Sequence, residues 1–414
     1  MGICNGTSIK DIGKDFIIQK NNDNYNKNIE NNNSKNETNK IYNIINPNNI
    51  NEKKCKGKKK NQEYKQRNNS VNNNDTSNNW QNDNNKFKKY KLQNKTTKNE
   101  DDKIKLFGLK NKKFDCYLNS SLQVFFHLEN FNEKIKKLQN QRKDKELTNK
   151  YLILLKEIDS GITIIDPKDI KSTLSKIEEK YKFGNQQDAN EFISIFLNQM
   201  KEEVKLMNFE NQMDEIIPIK KIEKDAYDKL ENKFFTKYNS FLIELFYGRL
   251  KKEILCPKDK KPIKVNFQVF NMIELLESAN NVIGTLMEYQ SEKKINTKIK
   301  IKCQDCKIDY EYYFSKTTIY NLPYYLILYL VKPINNFNEY QIEANKICEK
   351  NNNEIYELIS SIAYYGNYRN GHYFAKCKDI KNNQWYQFSD EKYNKIYNQS
   401  IIDNNDIILF YKKK

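Results

Sequence analysis

Two side chains in this 414-residue sequence have the chemistry of a nucleophile and its base, namely Cys116 and His372. Cys116 lies in the stretch KNKKFDCYLNSSLQVFFHL, where Leu118, Leu122 and Phe125 recur at helical spacing. The spacing predicts a helix that begins at the cysteine. A helix N-terminus carries partial positive charge, which favours a thiolate placed there. The alternative is that Cys116 is a small apolar residue that happens to start a helix.

A thiolate nucleophile needs a base, and the sequence contains only two histidines. His127 lies in the same predicted helix, about 16 Å from Cys116 along the axis, so we expect it to be a packing or surface residue. His372 lies at the open end of a predicted hairpin, in which HYFAKCK and QWYQFSD flank the turn DIKNN. Pairing the strands about that turn places His372 opposite Ser389. Spacing alone supports a catalytic and a structural histidine equally.

The elements that would position these residues divide the chain into two parts. Residues 1–100 are rich in asparagine and lysine and poor in branched aliphatic residues, which predicts a disordered tail. Residues 101–414 have the apolar content of one large folded domain. Its first half has helical periodicity, and its second half contains runs typical of strands, such as PIKVNFQVF, YYLILYLV and IILFYKKK. Helices followed by strands predict an α+β enzyme.

Charge and cysteine content restrict the class of protein. The net charge of +18 is compatible with a nucleic-acid binder, but the lysines are scattered apart from clusters such as 56–60, and no recognition motif accompanies them. We therefore expect no specific nucleic-acid partner. Eight cysteines do not form a disulfide scaffold, and no signal-peptide pattern is present, so we expect a cytoplasmic or nuclear protein. The N-terminal MGICNGT predicts membrane binding only if Gly2 and Cys4 are acylated.

Several motifs resemble the ubiquitin-specific protease family. GLKNKKFDCYLNSSLQ is similar to its cysteine box, and YELISSIAYYGNYRNGHYFAKCK with WYQFSD is similar to its histidine box. QQDANEF, FYGRLKKEILC and LPYYLILYL lie between them in the family's order, and IILFYKK resembles its last strand. The resemblance covers nearly all of residues 104–414. It implies a papain-like ubiquitin-specific protease fold with a helical thumb, a sheet-rich palm and fingers.

The resemblance also implies a thiol-dependent deubiquitinase that needs no catalytic cofactor. Ubiquitin and ubiquitinated proteins would be its partners, and the bond after the C-terminal glycine of ubiquitin would be cleaved through a thioester. Cys116 would be the nucleophile and His372 the general base, while Asn111 and the backbone N–H of Cys116 would stabilise the oxyanion. Ser389 would orient the imidazole, supported by Asp390. The residues implied to contact ubiquitin are Asp188, Glu191, Gln187, Gly371 and Tyr373.

Two departures from the family pattern, at Asp115 and Ser389, leave a second interpretation open, and a third is at Tyr364. Lys113-Phe114-Asp115 replaces Gly-Asn-Thr before the cysteine, and a carboxylate at position 115 disfavours the thiolate unless it turns away to cap the helix. Ser389 stands where Asp or Asn is common, and Tyr364 replaces a histidine, which we expect to alter packing rather than chemistry. The alternative is a catalytically weak or inactive member that binds ubiquitin as a scaffold.

The fingers of the family usually carry two Cys-x-x-Cys pairs that bind zinc. Here one pair is intact, Cys303 and Cys306, while the other is Cys256 and Asp259. Three thiolates and a carboxylate suit a tetrahedral structural zinc site. The alternative is a decayed site in which packing alone maintains the fold.

Overall fold

A computed structural model describes ten segments of the chain: 105–138, 145–182, 186–204, 221–276, 281–332, 334, 337–350, 353–366, 371–397 and 401–414. The predicted tail of residues 1–100, its acylation at Gly2 and Cys4, and the 56–60 lysine cluster lie outside these segments. Among the described residues, no helix combines the length and the apolar character that crossing a bilayer requires.

Helices dominate the first half of the described chain. They are α1 (Cys116–Phe126), α2 (Glu129–Lys136), α3 (Glu146–Asp159), α4 (Lys168–Ile177), α5 (Ala189–Val204), α6 (Lys221–Leu230), α7 (Phe241–Phe246) and α8 (Val282–Tyr289). Helix α1 begins at Cys116, as its periodicity predicts, and every one of its residues is buried. It is therefore the central helix of the domain rather than an amphipathic surface helix.

Strands dominate the second half. They are β1 (Gly108–Leu109), β2 (Ile164–Ile165), β3 (Gly248–Leu255), β4 (Pro262–Phe270), β5 (Ile273–Leu275), β6 (Lys293–Lys302), β7 (Asp309–Asn321), β8 (Tyr325–Leu330), β9 (Gln341–Glu343), β10 (Ile355–Gly366), β11 (Gly371–Asp379), β12 (Gln384–Ser389), β13 (Lys392–Lys395) and β14 (Asp406–Lys413). The predicted α+β class is confirmed.

The large sheet has the strand order β13-β12-β11-β10-β14-β8-β5, with β9 beside β10. Its pairs are antiparallel except β5 with β8. Side chains alternate between its faces along β14, where Ile408 and Phe410 join the core against the helices while Leu409 and Tyr411 join a second core on the opposite face. Both faces are thus covered, and α1 packs against β10, β11 and β12.

Two smaller sheets complete the domain. Strands β4-β3-β7-β6 form an antiparallel sheet, and β1 pairs with β2 in parallel. The helical layer, the large sheet and the four-stranded sheet correspond to the thumb, palm and fingers that the resemblance implies.

The β11–β12 hairpin has a register different from the predicted one. Ala375 pairs with Phe388, and Asp379 pairs with Gln384 around a loop of residues 380–383. Extending that ladder puts Ser389 beside residue 374, so its predicted pairing with His372 is wrong by two positions. The reason is that Asp379 remains in the ladder, where its carboxylate accepts backbone N–H bonds from the loop. His372 and Ser389 are instead diagonal neighbours, which are within reach on one face of a sheet.

Candidate active site

The Cys116 thiol lies at the junction of α1 and β11, and the residue is 3% exposed. Burial raises the pKa of the thiol, and the backbone N–H groups of Tyr373, Tyr117 and Cys116 itself oppose that rise. The expected benefit of the helix N-terminus is therefore present but is outweighed by desolvation. Tyr373 directly follows His372, so the thiol contacts β11 one residue from the candidate base.

His372 is the second residue of β11 and pairs with Tyr365 of β10. Its Nε2 atom lies 2.7 Å from Ser389 Oγ. The imidazole is 39% exposed, so it retains access to solvent at the surface of the domain. The hydroxyl of Ser389 can fix the orientation of the ring.

The other histidine is a packing residue, as predicted. His127 Nδ1 lies 2.6 Å from the carbonyl oxygen of Gln123, one turn earlier in the chain. Its ring stacks on Phe107 and contacts Phe388 at centroid distances of 5.8 and 4.7 Å. Burial lowers the pKa of this histidine, which favours the neutral imidazole.

A network of two asparagines surrounds Asp390. Its Oδ2 accepts a hydrogen bond from Asn111 Nδ2 at 2.9 Å, and its Oδ1 accepts one from Asn119 Nδ2 at 2.7 Å. The same carboxylate lies 3.9 Å from His372 Nε2. Sequence reasoning missed Asn119, although it is a polar residue in the apolar helix α1, one turn after Cys116. It is 1% exposed.

The amide of Asn111 is oriented from both ends. Its Oδ1 accepts the backbone N–H of Asp115 at 3.1 Å, which fixes its Nδ2 toward Asp390. An amide nitrogen carries two hydrogens, so one N–H remains to donate after the bond to Asp390. This geometry is suited to an oxyanion donor beside Cys116.

Asp390 reaches this network because the strand ends before it. Strand β12 ends at Ser389, and Asp390 has a left-handed φ of 51°, so strand alternation no longer directs its side chain to the opposite face. Strand β1 supports the turn, since the Leu109 N–H donates to the Asp390 carbonyl at 2.8 Å. A Cβ atom at Gly108 would lie 2.4 Å from the Glu391 carbonyl oxygen, so only glycine allows this approach.

The Asp115 side chain does not cap α1. Its side chain makes no capping hydrogen bond and instead forms a buried ion pair with Lys171 of α4. The sequence left open whether this carboxylate caps the helix, and it does not, because the buried Lys171 binds it instead.

The residues that the family resemblance implies for ubiquitin binding form hydrogen bonds and ion pairs within the domain. Asp188 Oδ1 accepts a hydrogen bond from Tyr373 Oη at 3.2 Å. Glu191 is paired with Lys180 at 2.7 Å, and Gln187 Nε2 donates to the Lys180 carbonyl at 3.1 Å. Both carboxylates lie at the start of α5, where they also suit the helix dipole.

Gly371 lies against the end of the Tyr364 side chain, so a larger residue there must displace the tyrosine or β11. A Cβ atom there would lie 2.0 Å from Tyr364 Oη, and its carbonyl accepts a hydrogen bond from Gln186 Nε2 at 3.0 Å. Tyr364 packs on Tyr373 with ring centroids 4.7 Å apart. The tyrosine thus fills space beside the entrance to β11, in line with the packing role expected for it.

A separate cysteine cluster lies in the fingers. The sulfur atoms of Cys256, Cys303 and Cys306 lie within 4.8 Å of one another, a separation that suits thiolates around one metal ion. The Asp259 carboxylate accepts a hydrogen bond from the Cys256 thiol but lies outside this three-sulfur group. Lys260 and Lys307, which follow Asp259 and Cys306, both have positive φ, at 58° and 56°. The two turns therefore have matching backbone conformations, and Asp259 occupies the position equivalent to Cys306.

Comparisons with known proteins agree on one family. The family model for ubiquitin carboxyl-terminal hydrolases matches residues 107–411. The probable ubiquitin carboxyl-terminal hydrolase R319 of Acanthamoeba polyphaga mimivirus is 24% identical over 267 residues, which cover 58% of this chain and 55% of that protein. Human ubiquitin carboxyl-terminal hydrolase 2 is 22% identical over 340 residues, with 74% and 55% covered. The chain spans about half the length of these relatives.

Solved structures share the fold. The SAGA Ubp8/Sgf11/Sus1/Sgf73 DUB module bound to ubiquitin aldehyde matches with a TM-score of 0.61 and 19% identity, covering 77% of this chain and 72% of that one. A second structure of the yeast SAGA module matches with a TM-score of 0.58 and 20% identity, covering 80% and 74%.

Proposed function

The chain belongs to the ubiquitin carboxyl-terminal hydrolase family, and from that premise we propose that it is a cysteine deubiquitinase. It hydrolyses the isopeptide or peptide bond after the C-terminal glycine of ubiquitin. The observation that carries the proposal is the meeting of α1 and β11, which brings Cys116 against the residue next to His372, within a network that includes Asn111 and Asp390.

In the proposed reaction, His372 first takes the proton of the Cys116 thiol, and the resulting thiolate attacks the glycine carbonyl carbon. The backbone N–H of Cys116 and the second N–H of Asn111 donate to the oxyanion that forms. His372 gives its proton to the departing amine, and a thioester joins Cys116 to ubiquitin. His372 then takes a proton from water, whose oxygen attacks the thioester. The Cys116 thiolate leaves, which frees ubiquitin, and it recovers its proton from His372.

We assign different tasks to the two residues after Phe388. The 2.7 Å contact with Ser389 Oγ orients the His372 ring, although a hydroxyl stabilises imidazolium less than a carboxylate does. Asp390 holds the amides of Asn111 and Asn119 and, at 3.9 Å from Nε2, adds negative charge beside the protonated ring. The two residues together supply the orientation and the charge.

Carboxylates at the start of α5 suit a basic ubiquitin tail. Glu191 is bound to Lys180 by a half-exposed ion pair, which a cationic substrate residue can exchange at small cost. Asp188 is tied to Tyr373 on β11, so a contact there lies beside the strand that carries His372. Gln187 and Gly371 complete the proposed contact surface.

The test is covalent labelling by ubiquitin with a C-terminal electrophile. The full chain should become labelled, and Cys116→Ala should not. Cys377→Ala is a matched control, because Cys377 is a fully buried thiol of β11 and its loss should leave labelling intact. Absence of labelling in a wild-type chain that still binds ubiquitin would contradict the proposal and support a binding scaffold.

We also propose that the fingers hold a structural zinc ion. Cys256, Cys303 and Cys306 would supply three thiolates, and Asp259 would supply the fourth ligand by a small movement of its carboxylate. Elemental analysis of purified chain should find one zinc per molecule, which Cys306→Ser should reduce. A metal-free chain with the same unfolding temperature before and after chelation would contradict it.

A further inference from the structure

Asp115 presents a chemical problem for any thiolate at Cys116. It directly precedes the nucleophile, and its side chain is 8% exposed, so water screens its charge poorly. An uncompensated carboxylate in such surroundings disfavours a neighbouring anion.

Lys171 meets that charge from another element. Its side chain is 2% exposed, and its Nζ donates to Asp115 Oδ1 across a contact between α4 and the N-terminus of α1. Burying a lysine is costly unless it is paired, and Asp115 supplies the pairing.

The ion pair also anchors the loop before the nucleophile. The backbone N–H of Asp115 donates to Asn111 Oδ1, and the Asp115 carbonyl accepts from Asn119 N–H at 2.8 Å. Phe114, the residue before, has a left-handed φ of 54°, which is a strained conformation for a bulky side chain. Lys171 thus anchors this loop through the buried side chain of Asp115.

Asp390 is a second carboxylate near Cys116, and no lysine or arginine is among its described hydrogen-bond donors. Its hydrogen-bond donors are the neutral amides of Asn111 and Asn119, and its charge raises the pKa of the Cys116 thiol. The Asp115 carboxylate is paired with the cationic Lys171, whereas the Asp390 carboxylate accepts hydrogen bonds from neutral amides.

We propose that Lys171 is a positioning residue for the reaction: it neutralises the Asp115 carboxylate and holds it away from the Cys116 sulfur, which preserves the thiolate and the orientation of Asn111. The inference rests on the proposed function and deepens it. An ordinary buried ion pair would contribute only to the stability of the fold. Under this proposal, removing either Lys171 or Asp115 alone must also change the pH at which Cys116 titrates.

The experiment measures the rate of Cys116 alkylation by iodoacetamide against pH, with the modified peptide identified by mass. The full chain is compared with Lys171→Met, Asp115→Asn and the double variant. Lys150→Met is a matched control. It removes a lysine whose partner in an exposed ion pair, Asp169, lies on α4, the helix that carries Lys171.

We expect Lys171→Met to raise the midpoint by about one pH unit, because a carboxylate is left uncompensated beside the thiol. Asp115→Asn should lower it, and the double variant should return it close to the wild-type value. Lys150→Met should not move it. The described titratable or charged groups around Cys116 and the ion pair include Asp390, Tyr117, Tyr364, Lys110, Lys112, Asp166 and Lys168, and His372 lies next to Tyr373, which contacts the thiol; all are unchanged in these variants.

Unchanged midpoints in all variants would overturn the inference and leave only a packing role. If Lys171→Met does not fold, Asp115→Asn decides, and a midpoint equal to wild type overturns the proposal. Alkylation does not require ubiquitin. A chain that shows the predicted shifts but does not react with the ubiquitin electrophile refutes the proposed function and leaves the role of Lys171 intact.

Discussion

Replacing Asp390 with asparagine separates two effects of its carboxylate, which are its acceptance of hydrogen bonds and its negative charge. Asp390 accepts from Asn111 at 2.9 Å and from Asn119 at 2.7 Å, one bond to each oxygen. An asparagine keeps one acceptor and places an NH₂ group where the other oxygen was, so one amide then faces a donor. Asn119 is 1% exposed, so water cannot easily replace the lost acceptor, and its Nδ2 would keep only the longer bonds to the Leu109 and Lys110 carbonyls at 3.4 and 3.3 Å.

The expected loss follows from that unsatisfied donor. Leaving a buried donor without an acceptor costs about 1–3 kcal/mol. If the cost is felt through the orientation of Asn111 in the transition state, kcat/KM falls roughly 5- to 150-fold. The thiol should change in the opposite sense. Asp390 raises the pKa of Cys116, so its neutralisation should lower the pH midpoint for alkylation.

The assay compares kcat/KM for a fluorogenic ubiquitin amide with the pH profile of Cys116 alkylation in Asp390→Asn. Glu391→Gln is the matched control, because it removes an exposed carboxylate from the adjacent position. A slower enzyme with a lower thiol midpoint fits the reasoning. An unchanged or raised kcat/KM would refute the role of the amide network, and a raised midpoint would refute the charge argument.

Three further substitutions test separate contacts. Gly371→Ala places a Cβ 2.0 Å from Tyr364 Oη and should lower kcat/KM at least tenfold by shifting the start of β11. Ser389→Ala removes the 2.7 Å contact to His372 and, at about 1 kcal/mol, should lower kcat/KM roughly fivefold in the same assay. Lys376→Met removes the cation that pairs with the buried Asp406 carboxylate at 2.7 Å. Urea denaturation should then show that the free energy of unfolding falls by about 3–5 kcal/mol.

Local patterns in the sequence predicted the elements well. The apolar periodicity after Cys116 places α1, and the run Pro262–Phe270 is β4 from end to end. Both depend on neighbours within a few positions, which the sequence displays directly. The register of β11 with β12 was predicted wrongly, because it depends on how one aspartate, Asp379, holds its loop.

The contacts of the site depend on distant parts of the chain. Asn119 binds a carboxylate 271 positions later, and Asp115 meets a lysine 56 positions later. No local pattern encodes such pairs, although both asparagine and aspartate were visible as polar residues beside a nucleophile. A buried polar residue in an apolar helix is the signal that would have identified Asn119.

The close approach of β1 to the end of β12 couples the backbone at positions 108 and 391, which lie far apart in the sequence. Gly108 can accept a methyl group only after the peptide at Glu391 recedes, because the two lie 2.4 Å apart once that methyl is added. Homologous chains that carry a larger residue at 108 must therefore also have a displaced peptide at 391. The compensating change must be in the backbone of the turn after β12, because the atoms that the added methyl group meets are backbone atoms of Glu391.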